Sequence, residues 1–304
     1  MIIKIPMRLT FKLFVKVNKD PFKTFGNFNI KANLQYICDD TPAHRLDIYT
    51  PVKNGNGITL FYIHGGGYCW GDKADSQPWI SFFVDKGFNV VSINYRYGSY
   101  KEGVNFKDQM KDVFAALNFT AENKLEYKIT TDKMFILGDS AGGHMAMMVD
   151  VIYKSKEAQE FFGIDKLPNF NICGVVGDSP MYNYKLIRDQ ALKMITKRDV
   201  KNLFSINYKD DDFINKCSTH YYYNKGVKPS PLFVSTCYHD YFYSQSKLCS
   251  KDCERLGYDI DFYFEASPNK KLAHDFNHTL LVDEGLKCNL AIVDFLNKNV
   301  KVDK

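Results

Sequence analysis

The sequence lacks long hydrophobic runs. No stretch reaches about 18 apolar residues, the length that a helix needs to cross a membrane, so stable membrane insertion is not expected. Residues 1–20 are largely apolar but carry five basic side chains, and they contain no uninterrupted apolar segment of signal-peptide length. We therefore expect a cytoplasmic protein.

Blocks of like charge are also absent, although the 304 residues include 40 Lys and Arg and 35 Asp and Glu. The net charge of +5 is mildly basic and lysine is scattered, so a nucleic-acid partner is not expected. Within residues 1–20 the basic side chains recur at helical spacing. This pattern predicts a helix that packs on its own domain, closes over a site as a lid, or makes peripheral contact with a membrane surface, and the sequence leaves these readings open.

A zinc-type arrangement of cysteine and histidine is missing as well. The eight cysteines are spread along the chain and several lie in apolar runs, which favours reduced, buried thiols over a disulfide framework. Cys249 and Cys253 stand one helical turn apart, but no matching pair of Cys or His residues completes a metal site. We predict no metal and no other cofactor.

Strand-like and helix-like segments alternate along the chain. Short apolar runs predict strands at residues 34–38, 45–49, 58–63, 88–95, 134–137, 171–176, 231–236 and 259–264. Helical spacing predicts helices at residues 106–123, 244–255 and 284–300. This alternation predicts an α/β fold with a mainly parallel central sheet and helices on both faces.

Nothing in the composition divides the chain into parts. No repeat and no low-complexity linker occurs, so residues 1–304 are predicted to form a single domain. The segment 181–226 interrupts the alternation because it is long, charged and rich in tyrosine. We expect it, together with residues 1–30, to form a cap over the edge where the carboxyl ends of the parallel strands gather.

A serine stands at the apex of a predicted strand-turn-helix. The apolar run 134–137 leads into Gly138-Asp139-Ser140-Ala141-Gly142, and a helix-forming run follows. Glycine at both ends lets the flanking backbones approach closely, which holds the serine hydroxyl clear of the sheet. This geometry is typical of a nucleophile that needs a nearby base, although a glycine-rich turn that only caps a helix has the same sequence.

A second glycine-rich turn follows the buried strand at residues 58–63. In the turn from His64 to Gly67 the glycines can present N–H groups to an oxygen that gains negative charge when a serine attacks an ester. We predict that the N–H groups of Gly65 and Gly66 act with that of Ala141, the residue after the nucleophile. His64 is predicted to anchor the turn, and a merely structural glycine-rich connection is the alternative.

These motifs resemble the hormone-sensitive-lipase-type branch of the α/β-hydrolase esterases. The resemblance rests on the His64–Gly67 turn, on the Gly138–Gly142 turn about seventy residues later, on Leu46-Asp-Ile-Tyr-Thr-Pro51, on Asn94-Tyr-Arg96 and on Asp112. It extends over roughly residues 34–300 and is weakest in the segment 181–226. It implies an α/β-hydrolase fold with a small helical cap, and a Ser-Asp-His triad in that chain order.

The resemblance also assigns the two partners of Ser140. Asp240 follows the predicted strand 231–236 and is similar to the acid of the family, and His274 matches its His-x-Phe pattern. Asp240 would then orient His274, which would take the serine proton. His278, four residues after His274, is the alternative base, and we expect Asp275 to be solvated or to cap a helix.

The remaining expectations concern the substrate. Tyr68 and Trp70 follow the glycine turn and are predicted to line an acyl pocket together with Gly67 and Asp139. The predicted function is a serine carboxylesterase for small-molecule esters with short to medium acyl chains. An amide, formamide or acyl-peptide hydrolase with the same triad is the alternative, and a non-catalytic binding protein with a hydrolase-like fold is a third reading.

Overall fold

The computed structural model describes residues 26–194, 201, 205–278 and 282–300. The helix predicted within residues 1–20 therefore lies outside the described residues. Eight strands form one sheet: β1 Phe28–Gln35, β2 Arg45–Pro51, β3 Thr59–Ile63, β4 Asn89–Ile93, β5 Met134–Asp139, β6 Ile172–Asp178, β7 Leu232–Cys237 and β8 Ile260–Glu265.

The strands are arranged in the order β1-β2-β4-β3-β5-β6-β7-β8. Strand β2 runs antiparallel to both of its neighbours, and the strands from β4 to β8 are all parallel. The predicted mainly parallel sheet is therefore confirmed. Every residue of β3, β5 and β6 is buried, which is why these strands read as continuous apolar runs in the sequence.

Helices cover both faces of the sheet. They are α1 Gln77–Asp85, α2 Phe106–Glu122, α3 Ser140–Lys154, α4 Lys156–Phe162, α5 Tyr184–Met194, α6 Asp211–Lys216, α7 Thr219–Asn224, α8 Tyr243–Leu256 and α9 Asp283–Asn299. No helix in this part of the chain combines the length and the apolar character needed to cross a bilayer.

Two apolar cores lie on opposite faces of the sheet, because successive side chains of a strand point to opposite sides. In β3, Phe61 and Ile63 join the core beneath α2, α3 and α8, whereas Leu60 and Tyr62 join the core beneath α1 and α9. The sheet is thus the middle layer of three, and the helices that follow its parallel strands form the outer two.

The segment 181–226 lies between β6 and β7 and includes α5, α6 and α7. Its tyrosines anchor it. Tyr182 and Tyr223 are fully buried, and the Tyr182 hydroxyl donates to Asp252 Oδ2 on α8 at 3.0 Å. His220 Nδ1 lies 2.8 Å from the same carboxylate oxygen. These contacts attach the described residues Tyr182, His220 and Tyr223 to the domain, and the role of the segment as a cap over a substrate stays a prediction.

Candidate active site

The turn after β5 has the geometry predicted for a nucleophile. Ser140 is the first residue of α3 and has φ +52°, a left-handed conformation that is uncommon for residues other than glycine. A Cβ atom on Gly138 would lie 2.3 Å from the Gly142 carbonyl oxygen, and one on Gly142 would lie 2.0 Å from the Ile63 carbonyl oxygen. Glycine is therefore required at both ends of the turn, as the sequence predicted.

The strain at Ser140 is held in place by its surroundings. Gly138 on β5 pairs with Ile63 on the neighbouring strand β3, so the serine turn lies directly beside the glycine turn that follows β3. On the other side, the Met181 N–H donates to the Ser140 carbonyl oxygen at 3.3 Å. Residues held in such sparsely populated conformations occur most often at functional sites.

Asp240 and His274 form a buried pair at the same edge of the sheet. His274 Nδ1 lies 2.8 Å from Asp240 Oδ1, and this carboxylate also accepts hydrogen bonds from the Phe242 N–H and the Thr236 hydroxyl, both at 2.8 Å. Burial opposes ionisation of Asp240, but the His274 ring and these donors outweigh it, so the pKa of Asp240 lies below its ordinary value. The ionised acid can orient the ring and stabilise its cation.

The other nitrogen of His274 faces the site. Nε2 is buried and has no hydrogen-bond partner among the described residues. The segment 179–181 contacts the residues next to both predicted partners, since Ser179 Oγ accepts from the Asp275 N–H at 3.3 Å and the Met181 N–H donates to the Ser140 carbonyl oxygen. This nitrogen is therefore available to a group that enters the site.

His64 anchors the glycine turn, as the sequence predicted. Its ring stacks on Tyr95 with ring centres 4.5 Å apart, and its Nδ1–H donates to the Gly65 carbonyl oxygen at 2.7 Å. Burial lowers the pKa of His64, which keeps the ring neutral. Its contacts bind the turn to the sheet and leave the general base to another histidine.

The prediction for Gly65 is wrong. Its N–H donates to Asp139 Oδ1 at 3.0 Å and is therefore not available to an incoming oxygen. The N–H groups of Gly66 and Gly67, both with positive φ, have no acceptor among the described residues. Ala141 lies in the first turn of α3, where an N–H has no partner within the helix. These three donors can form the site for a developing oxyanion.

Asp139 also differs from its predicted role as a pocket residue. Besides the Gly65 N–H, its Oδ1 accepts from the buried Tyr62 hydroxyl at 2.5 Å, and that hydroxyl lies 2.6 Å from Ser76 Oγ. The Asp139 side chain thus links the serine turn to the glycine turn. It holds the two turns at a fixed separation.

The predicted pocket wall is only partly present. Tyr68 is 1% exposed and its hydroxyl hydrogen-bonds to His144 Nδ1 at 2.9 Å, so it belongs to the core and presents no surface to a substrate. Burial lowers the pKa of His144 to about 3, so its ring is neutral. Trp70 is partly exposed and packs closely over Gly66. It remains the aromatic candidate beside the oxyanion donors.

His278, the alternative base, belongs to a different pair. Its Nε2 lies 3.3 Å from Asp178 Oδ2, and its ring stacks on Trp79 with ring centres 4.1 Å apart. It makes no contact with Asp240. His278 therefore fastens the turn that carries His274 to β6 and α1.

Two neighbours of His274 were missed by sequence reasoning. Asp275, expected to be solvated or capping, is 14% exposed, and its Oδ2 lies 3.5 Å from His274 Nε2. The Tyr241 ring lies over the His274 ring, with centres 4.4 Å apart. Each residue adjoins a predicted catalytic residue in the chain, which is the signal that could have indicated them.

Comparison with known proteins identifies the family of the chain. A family model described as BD-FAE matches residues 46–252, more than half of the chain. A probable isoprenylcysteine alpha-carbonyl methylesterase of Arabidopsis thaliana is 30% identical over 126 residues, which are 41% of this chain and 26% of that protein. Arylacetamide deacetylase of Mus musculus is 35% identical over 121 residues, 38% of this chain and 29% of that protein. The matched parts are thus well under half of either relative.

The solved structures support the fold. Esterase B from Lactobacillus rhamnosis has a TM-score of 0.84 at 23% identity, covering 96% of this chain and 94% of its own. A bacterial heroin esterase has a TM-score of 0.68 at 15% identity, covering 99% and 95%. Together with the strand order, these likenesses establish the α/β-hydrolase fold.

Proposed function

The chain belongs to the BD-FAE family, and from this premise we propose that it is a serine hydrolase of carboxylic esters. Ser140 is the proposed nucleophile, His274 the general base and acid, and Asp240 the residue that orients the base. The observation that carries the proposal is the strained Ser140 turn beside the buried pair of Asp240 and His274, whose Nε2 has no other partner among the described residues.

In the first half of the proposed reaction, His274 Nε2 takes the proton of Ser140 as Oγ bonds to the carbonyl carbon of the ester. Negative charge develops on the carbonyl oxygen. The N–H groups of Gly66, Gly67 and Ala141 stabilise that charge, and each such donor contributes about 3–4 kcal/mol when probed by removal. The tetrahedral intermediate collapses, and the imidazolium gives its proton to the departing alcohol.

In the second half, water replaces the alcohol. His274 takes a proton from water as the water oxygen bonds to the acyl carbon, and the same donors bind the second oxyanion. The proton then returns to Ser140 Oγ as the acyl–oxygen bond breaks. The products are a carboxylic acid and the free enzyme, and the side chains named here complete the cycle.

An amide is the second candidate substrate. One relative is named arylacetamide deacetylase, and the same triad and donors can cleave an amide when the leaving nitrogen is protonated by His274. A purely binding role is less well supported, because the serine, the acid and the histidine are all present with the buried acid–base contact intact. The two enzymatic candidates differ in the leaving group and share every proposed catalytic residue.

A fluorophosphonate probe tests the proposal directly, since it reacts with activated serines. We expect stoichiometric labelling of the wild-type protein and none of Ser140→Ala. Ser179→Ala is the matched control, because Ser179 also lies at a strand end with positive φ but is fully buried. Labelling that persists in Ser140→Ala, or no labelling of the folded wild type, would contradict the proposal.

A series of p-nitrophenyl esters tests the proposed substrate range. We expect kcat/KM to be highest for short acyl chains and to fall for long ones, because the sequence contains no long apolar lid segment. Matched p-nitrophenyl esters and p-nitroanilides of one acyl group separate the two candidate substrates. Faster turnover of long-chain emulsions than of dissolved short-chain esters would overturn the expected preference.

A further inference from the structure

Asp275 has a strained, left-handed backbone conformation. It directly follows His274 and has φ +56°, in the left-handed region that aspartate and asparagine tolerate better than most residues. Its N–H donates to Ser179 Oγ at 3.3 Å, which ties the residue to the end of β6. Strain of this kind beside a catalytic group points to a functional role.

The strained backbone places a carboxyl group at the reacting nitrogen of the base. Asp275 Oδ2 lies 3.5 Å from His274 Nε2, and Asp275 Oδ1 is buried without a hydrogen-bond partner among the described residues. The distance is too long for a direct hydrogen bond of ordinary strength. The carboxyl group therefore flanks Nε2 without occupying it, and its 14% exposure leaves it reachable from the site.

The charges around Asp275 favour its neutral form. Burial, followed by the nearby carboxylates of Asp139, Asp178 and Asp240, raises the pKa of Asp275 well above its ordinary value. A neutral carboxyl group does not hold the His274 cation in an ion pair. It still offers oxygen acceptors and one donor to a small polar molecule beside Nε2.

We propose that Asp275 holds the water molecule that hydrolyses the acyl-serine, an inference that rests on the ester-hydrolase function proposed above. Two acceptors 3.5 Å apart can share one water, because an oxygen about 2.8–3.0 Å from Nε2 can lie at the same distance from Oδ2. One O–H of the water then points to His274 Nε2 and the other to Asp275. This orientation directs a lone pair of the water oxygen away from both residues.

Asp275 is chemically unchanged when the acyl-serine is hydrolysed. The water oxygen bonds to the acyl carbon, and the proton donated toward His274 moves to Nε2. The bond between the acyl carbon and Ser140 Oγ then breaks, and the Nε2 proton passes to Oγ. Asp275 takes no part in the proton transfer and contributes only a hydrogen bond that restricts where the water lies.

The contact should matter more for water than for the leaving alcohol. The alcohol oxygen is covalently attached to the substrate during acylation and is placed by the rest of that molecule. Water has no such attachment, so its position depends on the groups that hydrogen-bond to it. Removal of the Asp275 carboxyl group is therefore expected to slow deacylation and to spare acylation.

Two substitutions suit the left-handed backbone and form a matched pair. Asp275→Gly removes the carboxyl group, whereas Asp275→Asn keeps an oxygen at the same position. The release of p-nitrophenol from p-nitrophenyl butyrate is followed by stopped flow at pH 7. For Asp275→Gly we expect the burst rate constant to stay within about twofold of wild type and steady-state turnover to fall about tenfold, the loss expected for one hydrogen bond.

The two variants and the wild type separate the outcomes. A burst approaching one p-nitrophenol per active site in Asp275→Gly, with smaller loss in Asp275→Asn, supports the inference. Equal losses in the burst and in steady state, or unchanged turnover in Asp275→Gly, would overturn it. Thermal unfolding of both variants shows whether either one has a folding defect. Fluorophosphonate labelling measures the fraction of active sites, which such a defect would lower. The absence of any Ser140-dependent release would instead refute the proposed ester hydrolysis.

Discussion

The ends of β5 and β6 carry the same three residues in the same register. Gly138 pairs with Gly177 and Asp139 with Asp178, so Ser140 and Ser179 leave the sheet side by side. Both serines have positive φ, +52° and +44°. A Gly-Asp-Ser sequence at the end of a buried parallel strand thus gives nearly the same backbone twice.

The residues that follow make the two ends different. Ala141 and Gly142 continue into α3, whereas Pro180 follows Ser179 and cannot supply an N–H to an oxyanion. Ser179 is fully buried and its hydroxyl already accepts from the Asp275 N–H. The two strained serines are therefore distinguished by the next two residues, which after Ser140 provide a free N–H donor and a close helix and after Ser179 do not.

Each strand end also has its own acid and histidine. The pair beside Ser140 is Asp240 with His274 at 2.8 Å, and the pair beside Ser179 is Asp178 with His278 at 3.3 Å. His274 has a free Nε2 at the site, whereas the His278 ring is stacked on Trp79. The proposed function assigns proton transfer to the first pair and a structural role to the second.

The largest expected difference in activity is between variants of these two histidines. We expect His274→Gln to lower kcat/KM for p-nitrophenyl butyrate by about four orders of magnitude or more, because the base of a triad acts as a unit with its serine. His278→Gln should lower it by less than about tenfold, since His278 Nε2 lies 3.3 Å from Asp178 and its ring stacks on Trp79, so the change alters packing of the turn. Steady-state assays of both variants measure this ratio, and comparable losses would show that His278 takes part in proton transfer.

The shared sequence of the two strand ends explains how much could be predicted. Buried strands such as β3 and β5 were predicted within a residue or two, because a strand covered on both faces reads as an apolar run. Strand β1 was predicted at residues 34–38 but spans Phe28–Gln35. Its apolar residues Phe28, Ile30, Ala32 and Leu34 alternate with polar ones, a period-two signal that is weaker than a continuous apolar run and that the prediction did not use.

The sequence predicted the parts of the site in which a motif determines the backbone conformation. It did not predict the parts that depend on contacts between distant side chains. Glycine at 138 and 142 follows from steric contact alone, which a sequence motif records. The occupation of the Gly65 N–H by Asp139 and the burial of Tyr68 depend on contacts across 74 and 76 positions of the chain. Asp275 is marked in the sequence only by its place after His274, because its neighbours Asp139, Asp178 and Asp240 are brought together by the fold.

A smaller difference is expected between the paired glycines Gly138 and Gly177. A Cβ atom on Gly138 would meet the Gly142 carbonyl oxygen at 2.3 Å, which is backbone and cannot give way, whereas one on Gly177 would meet the Pro180 ring at 3.1 Å. We expect Gly138→Ala to lower the free energy of unfolding by about 3 kcal/mol or more and Gly177→Ala by about 1 kcal/mol or less. Urea unfolding of both variants measures the difference, and equal losses would show that the two turns are packed alike.

The smallest effect concerns the acid that lies between the two strand ends. The pKa of Asp275 is raised in the folded protein, so the native state binds its proton more tightly than the unfolded chain does. Its contribution to stability is present at low pH and is lost as pH rises through the raised pKa. Asp275→Asn cannot ionise and tolerates the same backbone, so we expect it to raise the thermal midpoint at pH 7 and to lose this advantage near about pH 4.

The pKa of Asp240 is shifted in the opposite direction to that of Asp275. Its pKa is lowered in the folded protein, so the ionised acid contributes stability at neutral pH that is lost as pH falls through the lowered value. Asp240→Asn should therefore destabilise the protein most at pH 7 and least in acid. Thermal midpoints of the two variants, each taken relative to wild type between about pH 4 and pH 8, should diverge as pH rises. Parallel curves would mean that the pKa of Asp275 is not raised in the folded protein.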